Sequence, residues 1–365
     1  MHDEKRFMAR ALELARRGRG SVHPNPMVGC VIVRGGRVIG EGYHHAYGKD
    51  HAEVDALKKV GAKARGATMY VNLEPCAHFG KTPPCMIAVA GAGIRHLVAA
   101  MQDPNPQVSG KGFAFLKKHG VRVSRGLLEK EAAELNRAFI TRIKQHRPYV
   151  TLKAAVSLDG KISTARGESK WITGPEARKR GHVLRAEVDA VAVGIGTILK
   201  DNPSLTAHGT GRNPKRIIFD STLRIPRKAR VLDKAAPTWV LTTSRAPSAK
   251  RRALERRGNS VYTVAHDNKG NVSLSEAARV LAREGVTHLL VEGGGTLNAA
   301  FLQAGLVDEV VWFIAPIIIG GENAKTAVEG AGIDKLKKAW ALKDIKLERI
   351  GQDLCLQGSF KPSGK

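Results

Sequence analysis

Two hydrophobic rhythms alternate along the chain. Apolar residues recur at helical spacing over 7–16, whereas 28–33 is a continuous apolar run and 38–41 is strand-like, with Gly35-Gly36 between them as a hairpin signal. The pattern then predicts a helix over 51–60, a buried strand over 68–73, a helix over 83–90 and a strand over 94–100. A helix over 112–118, a short strand over 121–124 and one long helix over 127–144 complete the first half. Gln145-His146-Arg147-Pro148 interrupts the pattern and marks a boundary, giving domains 1–146 and 147–365. Beyond it, strand-like runs fall at 150–156, 188–193, 216–219, 239–242, 288–291 and 309–315. Helical runs fall at 175–186, 275–283 and 296–304. Alternation of this kind predicts α/β layers in both domains.

At 365 residues the chain exceeds one typical domain, and its 42% apolar and 25% charged content is that of a globular protein. No run of about 18 apolar residues predicts a membrane span. The N-terminal segment has no apolar signal core, so a cytoplasmic protein is expected. Four cysteines, Cys30, Cys76, Cys85 and Cys355, are too few for a disulfide framework at this length and point to metal or redox chemistry. Cys30 and Cys355 lie in apolar or alternating segments and read as core thiols. The net charge of +27 suits nucleic acid or phosphorylated small molecules, and equally plain solvated basic faces.

Candidate chemistry concentrates in the first domain. Asp50-His51-Ala52-Glu53 opens a helix, and Glu74-Pro75-Cys76 follows a strand, with Cys85 after eight further residues. One imidazole and two thiolates leave the fourth tetrahedral position of a zinc ion open for water. Zinc activates that water, and Glu53, a carboxylate that is not a ligand, is expected to move the protons of a deamination. Thr82-Pro83-Pro84-Cys85 reads as a helix start, with Thr82 as cap and Pro83 at the first helical position. Asp50-x-x-Glu53 also spells a capping box, which alone would make Glu53 structural. His51-Ala52-Glu53 followed by Pro75-Cys76 is the zinc-deaminase signature in its expected order, and the combination outweighs capping. The eight-residue insert between the cysteines brings His78 and Lys81 beside the metal, where a cation suits a phosphorylated substrate. Asn25, in the turn-rich 23–29 loop, is placed to hydrogen-bond ligand.

The stretches His23-Pro24-Asn25-Pro26, Gly42-Tyr43-His44, His51-Ala52-Glu53 and 74–85 resemble the bifunctional deaminase/reductase family of riboflavin biosynthesis. The resemblance implies a cytidine-deaminase-like α/β/α sandwich that removes the 2-amino group of 2,5-diamino-6-(5-phosphoribosylamino)pyrimidin-4-one. Asn25, His44, His78 and Lys81 would then surround the substrate.

The resemblance continues through 153–161, 167–173, 201–206 and 291–296. It implies a dihydrofolate-reductase-like α/β domain in which NADPH reduces the ribosyl group to ribityl. Cofactor contacts carried over are Ala155, Trp171, Thr197, Asp201, Ser221 and the run Gly294, Gly295, Thr296, Leu297, Asn298, Ala299 and Ala300. Substrate contacts carried over are Ser169, Arg185, Leu205, His208 and Glu292. His208 stands where an arginine is expected, with Arg212 as a nearby substitute. Lys153, read as lying at a strand edge, is expected to place sugar hydroxyls or deliver a proton, and Arg185 to hold phosphate as a fork of donors. A glycine-rich strand-to-helix turn suits phosphate. The competing reading is a nucleic-acid deaminase with a basic accessory domain. The long insert between the cysteines and only 5% aromatic residues argue against it. The expected partner is a phosphorylated pyrimidine, with self-association into a homo-oligomer.

Overall fold

The computed structural model describes residues 2–80 and 83–360. Lys81 and Thr82 therefore lie outside the described residues. The chain divides into two compact units, Met1–His146 and Arg147–Lys365.

The first unit runs α1 (His2–Arg16), β1 (Gly29–Arg34), β2 (Arg37–Tyr43), α2 (Ala52–Val60), β3 (Thr68–Val71), α3 (Cys85–Gly91), β4 (His96–Ala99), α4 (Lys111–Lys118), β5 (Arg122–Arg125), α5 (Glu129–Leu135) and α6 (Arg137–Gln145). Its sheet has the order β2-β1-β3-β4-β5; β1 is antiparallel to both neighbours and the last three strands are parallel. The β1–β2 turn holds Gly35 and Gly36 at φ 57° and 73°, the left-handed pair that a two-residue hairpin demands. Phe7, Met8, Ala11, Leu12 and Ala15 of α1 enter the core with Cys30, Ile32 and Met69. Helix α2 lies so close to β2 that a Cβ on Gly42 would come within 2.4 Å of the Ala52 carbonyl oxygen. Bare backbone at Gly42 thus fixes the start of the helix that carries His51 and Glu53.

The second unit runs β6 (Tyr149–Ser157), α7 (Pro175–Glu187), β7 (Ala190–Gly194), α8 (Ile195–Asp201), β8 (Lys215–Phe219), β9 (Thr238–Thr242), α9 (Ser248–Glu255), β10 (Ser260–Thr263), α10 (Leu274–Arg283), β11 (His288–Val291), α11 (Gly295–Gln303), β12 (Glu309–Ala315), β13 (Leu342–Ile350) and β14 (Asp353–Phe360). The sheet order is β10-β9-β8-β7-β11-β6-β12-β14-β13, parallel from β10 to β12 and closed by an antiparallel C-terminal hairpin. Both faces of the parallel part are covered. On β7, Ala190 and Ala192 join one core while Val191 and Val193 join the other, which is why the strand reads as a continuous apolar run.

Three expectations need correction. The 127–144 helix is two helices, broken at Asn136, whose φ of −101° and ψ of 17° end α5. Buried Asn136 turns its amide onto Met27, accepting from its N–H at 2.8 Å and donating to its carbonyl at 3.0 Å. Helix α3 starts at Cys85 with Pro84 as its N-cap, so Pro83 is not in the helix; a residue before proline is pushed to extended backbone. Lys153 is the fifth of nine residues in β6, an interior strand between β11 and β12, and not at a strand edge.

Candidate active sites

His51 is the N-cap of α2 and makes no side-chain cap bond, leaving its ring free to turn inward. Its Nδ1 lies 3.2 Å from Cys85 Sγ and 3.5 Å from Cys76 Sγ. All three donor atoms fall within 4.8 Å of one another. The edge of a tetrahedron built from ordinary zinc–nitrogen and zinc–sulfur bonds is about 3.5 Å, so the donor set fits zinc in both chemistry and spacing. The Cys85 N–H donates to Cys76 Sγ at 3.2 Å. Hydrogen bonding from the Cys85 thiol lowers the Cys76 thiol to about 4, so one sulfur is ready to bind as thiolate.

Glu53 follows on the first turn of α2 and is buried. Burial, then the Cys76 charge, raises its carboxyl to about 7. The capping-box geometry is absent at this helix start, since Asp50 pairs with Lys58 instead. A cleft of about 310 Å³ opens over the triad, lined among others by Asn25, His44 and His78. The buried His44 ring gives Nδ1–H to the Asp50 carbonyl at 2.9 Å, because a carbonyl only accepts. Its Nε2 is therefore the acceptor for the Asn25 amide at 3.2 Å, which leaves Asn25 Oδ1 to face ligand. Sequence reasoning missed Asp103 in this cleft, whose carboxyl burial raises to about 6, and Glu74 as its support. Glu74 accepts from the backbone N–H groups of Asp103, Gly110 and Phe113. The Glu-Pro-Cys motif thus anchors its own loop.

In the second unit a cavity of about 980 Å³ opens at the C-terminal ends of β7, β8 and β11. Thr197, Asp201, Ser221, Leu297, Ala300 and the Gly294–Thr296 turn line it, and Ser169 joins them. A Cβ on Gly294 would meet nothing within 4 Å, so bare backbone at the N-terminus of α11 faces open space, a cradle that fits a dinucleotide phosphate. Asn298 and Ala299 point the other way: both are buried, and Asn298 donates to the Ala327 carbonyl. Ala155 packs beside Val311 and Phe313, and Trp171 is exposed under the Arg178 guanidinium. Neither lines the cavity.

Glu292 immediately precedes the glycine turn and forms a part-buried cluster with two cations. Arg185 reaches it with two bonds of 2.8 Å, and Lys153 Nζ lies 3.9 Å away. The two cations hold the Glu292 carboxyl down at about 2 against burial, while burial lowers Lys153. The remaining Arg185 nitrogen donates to the Thr206 carbonyl at 3.0 Å, so the fork expected to hold phosphate is already occupied. Leu205 is buried in the core, and His208 stacks on His182 with ring centroids 4.3 Å apart. His182 was not expected from sequence; its spacing from Arg185 on α7 was the available signal. Arg212 donates to the Val188 carbonyl.

Fold and sites define a zinc-dependent deaminase joined on one chain to a nicotinamide-dependent reductase. Residues 1–101 match the cytidine and deoxycytidylate deaminase zinc-binding region, and residues 148–356 match the RibD C-terminal domain. The riboflavin biosynthesis protein RibD of Aquifex aeolicus is 44% identical over 356 residues, 97% of each chain. The RibD structure of Acinetobacter baumannii (form 1) superposes with a TM-score of 0.90 at 38% identity over 99% of both chains. The diaminohydroxyphosphoribosylaminopyrimidine deaminase/5-amino-6-(5-phosphoribosylamino)uracil reductase of Thermotoga maritima does so at 0.87 and 36%, again over 99% of both. The chain belongs to the RibD family of bifunctional riboflavin-biosynthesis enzymes. Its cofactors are zinc and NADPH, and its substrate is a phosphorylated pyrimidine. No helix among the described residues is long and apolar enough to cross a membrane.

Proposed function

We propose that residues 1–146 deaminate 2,5-diamino-6-(5-phosphoribosylamino)pyrimidin-4(3H)-one and that residues 147–365 reduce the ribosyl group of the product to ribityl. The observation that carries the first assignment is the convergence of His51 Nδ1, Cys76 Sγ and Cys85 Sγ beside buried Glu53. Zinc held by these three supplies the Lewis acidity that makes water a nucleophile near neutral pH. Glu53 takes one proton from the attacking water and passes it to the ring nitrogen, then takes the second from the hydroxyl added to the carbon and passes it to the departing amine. A carboxyl near 7 suits a group that must both accept and donate. Asn25, oriented by His44, accepts from a substrate amino or ring N–H group, and His78 and Lys81 serve the phosphoribosyl arm.

For reduction, NADPH supplies hydride, and Thr197, Asp201, Ser221, the 294–297 turn and Ala300 hold it. Lys153 hydrogen-bonds the ring oxygen that leaves C1 as the sugar opens and neutralises the charge that develops on it. Arg185 positions and ionises Glu292, and Glu292 keeps the desolvated Lys153 ammonium oriented. Ser169 and His208 complete the substrate contacts. Leu205 supports that loop from the core. Ala155, Trp171, Asn298 and Ala299 act from behind the cavity wall or at its margin.

Two thiols that must remain reduced to bind metal favour the cytoplasm. A homo-oligomer is supported by the C-terminal hairpin, where edge strand β13 exposes Ile345 and Leu347 and the preceding segment exposes Leu336. The deciding experiment incubates the phosphoribosylaminopyrimidine with the full chain and follows ammonia release and NADPH oxidation together. Release of ammonia without later NADPH oxidation would remove the second assignment, and absence of both would remove the reading as a whole.

A further inference from the structure

Positive charge in the second unit is dense on one surface. Between 224 and 257 the chain carries eleven basic residues and only two acidic ones. Both acids are engaged, Asp233 with Arg216 at 2.7 Å and Glu255 with Arg251 at 2.9 Å. Leu254 plants helix α9 in the core that also holds Leu223, Ile225 and Val231. Two residues either side of a buried position turn to the opposite side of a helix, so Arg252 and Arg256 point outward, and both are exposed.

The surface is fixed at both ends of α9. Lys250 Nζ donates to the Leu223 carbonyl at 3.1 Å, and the Arg257 guanidinium donates to the Arg227 carbonyl. The turn carrying Arg227 and Lys228, both exposed, is thereby held against the helix. Among the described residues no carboxylate lies within ion-pair distance of Arg227, Lys228, Lys250, Arg252, Arg256 or Arg257. Like charges crowded in this way repel, and a polyanion laid across them relieves the repulsion.

The chemistry of the face selects the polyanion. No large apolar side chain between 224 and 257 is exposed, so the face lacks the anchor that seats a basic helix in a membrane. It presents no exposed aromatic ring for base stacking either, which leaves the backbone as the feature to grip. Four of the six cations are arginines, whose forked donors match the paired free oxygens of a phosphodiester. Residues four apart on a helix have Cβ atoms about 6 Å apart, close to the step between neighbouring phosphates of one strand. A single row of cations follows a single strand, and single strands in a cell are chiefly RNA.

We propose that the α9 face, centred on Arg252 and Arg256, docks single-stranded RNA through its phosphate backbone, whatever the base sequence. The strand is a tether and not a substrate, since none of the six cations lines either reaction cleft.

The test measures binding of labelled oligouridine to the zinc-loaded full chain by fluorescence anisotropy across a salt series. Each phosphate neutralised on a single strand contributes about 0.7 to the fall of log affinity with log salt, so six cations predict a slope of about −4. Arg252→Glu with Arg256→Glu is compared with Lys117→Glu and Lys118→Glu, an equal change of net charge on exposed residues of α4. The α9 pair should weaken binding by about tenfold or more, as loss of charge-assisted bonds implies, and the α4 pair by much less. Arg252→Gln with Arg256→Gln should act in the same direction and lower the slope by about 1.4. Both enzyme activities should persist in every variant, which shows that each is folded. Equal weakening by the α9 and α4 pairs would mean that RNA feels only the net charge, and the inference falls. It falls also if the α9 pair abolishes binding to phosphatidylserine vesicles or polyglutamate while leaving oligouridine unaffected.

Discussion

Arg185 and Glu292 face each other through two parallel bonds of 2.8 Å, and Lys153 stands 3.9 Å behind the same carboxylate. The carboxylate therefore serves two part-buried cations at once. Glu292→Gln would leave both cations without their counter-charge and should cost about 3 kcal/mol of stability in the second unit, the lower end for breaking a buried pair. Denaturant melts of the full chain, read by Trp239 and Trp312 fluorescence, would report it. A loss below about 1 kcal/mol would mean that the pair behaves as a surface one.

The same carboxylate gives the fold a definite acid response. Its pKa drops from an ordinary 4.5 to about 2 on folding. A depressed folded value stabilises above the unfolded pKa and is lost as pH falls from about 4.5 towards 2. Stability of the second unit should decline through that window, and Glu292→Gln should flatten the slope. Equal slopes in both proteins would assign the acid response to other groups.

Lys153→Met keeps most of the stem and removes the charge. Because burial already lowers the Lys153 pKa, the neutral replacement should fold well. Deamination should continue, NADPH should still bind, and reduction should fall by at least about a hundredfold, the scale of a positioned proton donor. Single-turnover hydride transfer separates this from slow product release. Reduction near the wild-type rate would make Lys153 structural.

Zinc content should be about one per chain, and Cys76→Ser or Cys85→Ser should lose metal and deamination together while leaving reduction intact. Glu53→Gln should retain metal and lose deamination by about two to four orders of magnitude. Metal analysis and rate on one sample distinguish the two classes of variant; an active Glu53→Gln protein would make the residue a structural group.

Asn136→Ala removes both bonds to Met27 and leaves its N–H unsatisfied, at a cost of about 1–3 kcal/mol, while the Met27 carbonyl keeps the Asn72 amide at 2.9 Å. Since Met27 ends the loop that carries Asn25, substrate affinity for deamination should fall with little change in zinc content. An unchanged KM would show that the loop holds its shape without the clamp.

Asn136 also illustrates what local sequence hides. Helical periodicity runs across 127–144 without interruption, and only the distant Met27 backbone makes a break there favourable. By contrast, Gly35-Gly36 announced its hairpin because the turn needs two left-handed residues in succession, a purely local demand. The metal triad was legible for a similar reason: ligands at fixed offsets from two element ends must appear as short motifs. Arg227 and Lys228 reach the α9 face from a separate turn, and nothing in one stretch of sequence joins them to Arg252 and Arg256. The occupied fork of Arg185 was hidden as well, since its partner lies more than a hundred positions away. Strands α/β in rhythm predicted the layers but not the strand order, which depends on β11 returning between β6 and β7.

Among the described residues, those lining the deaminase cleft all belong to 1–146 and those lining the cavity of about 980 Å³ all belong to 147–365. Lesions in the two halves should therefore behave as separate genetic units. A chain disabled at Glu53 and a chain disabled at Lys153 each retain the half that the other lacks. Expressed together in a riboflavin-requiring host, two such alleles should complement and relieve the auxotrophy that neither relieves alone.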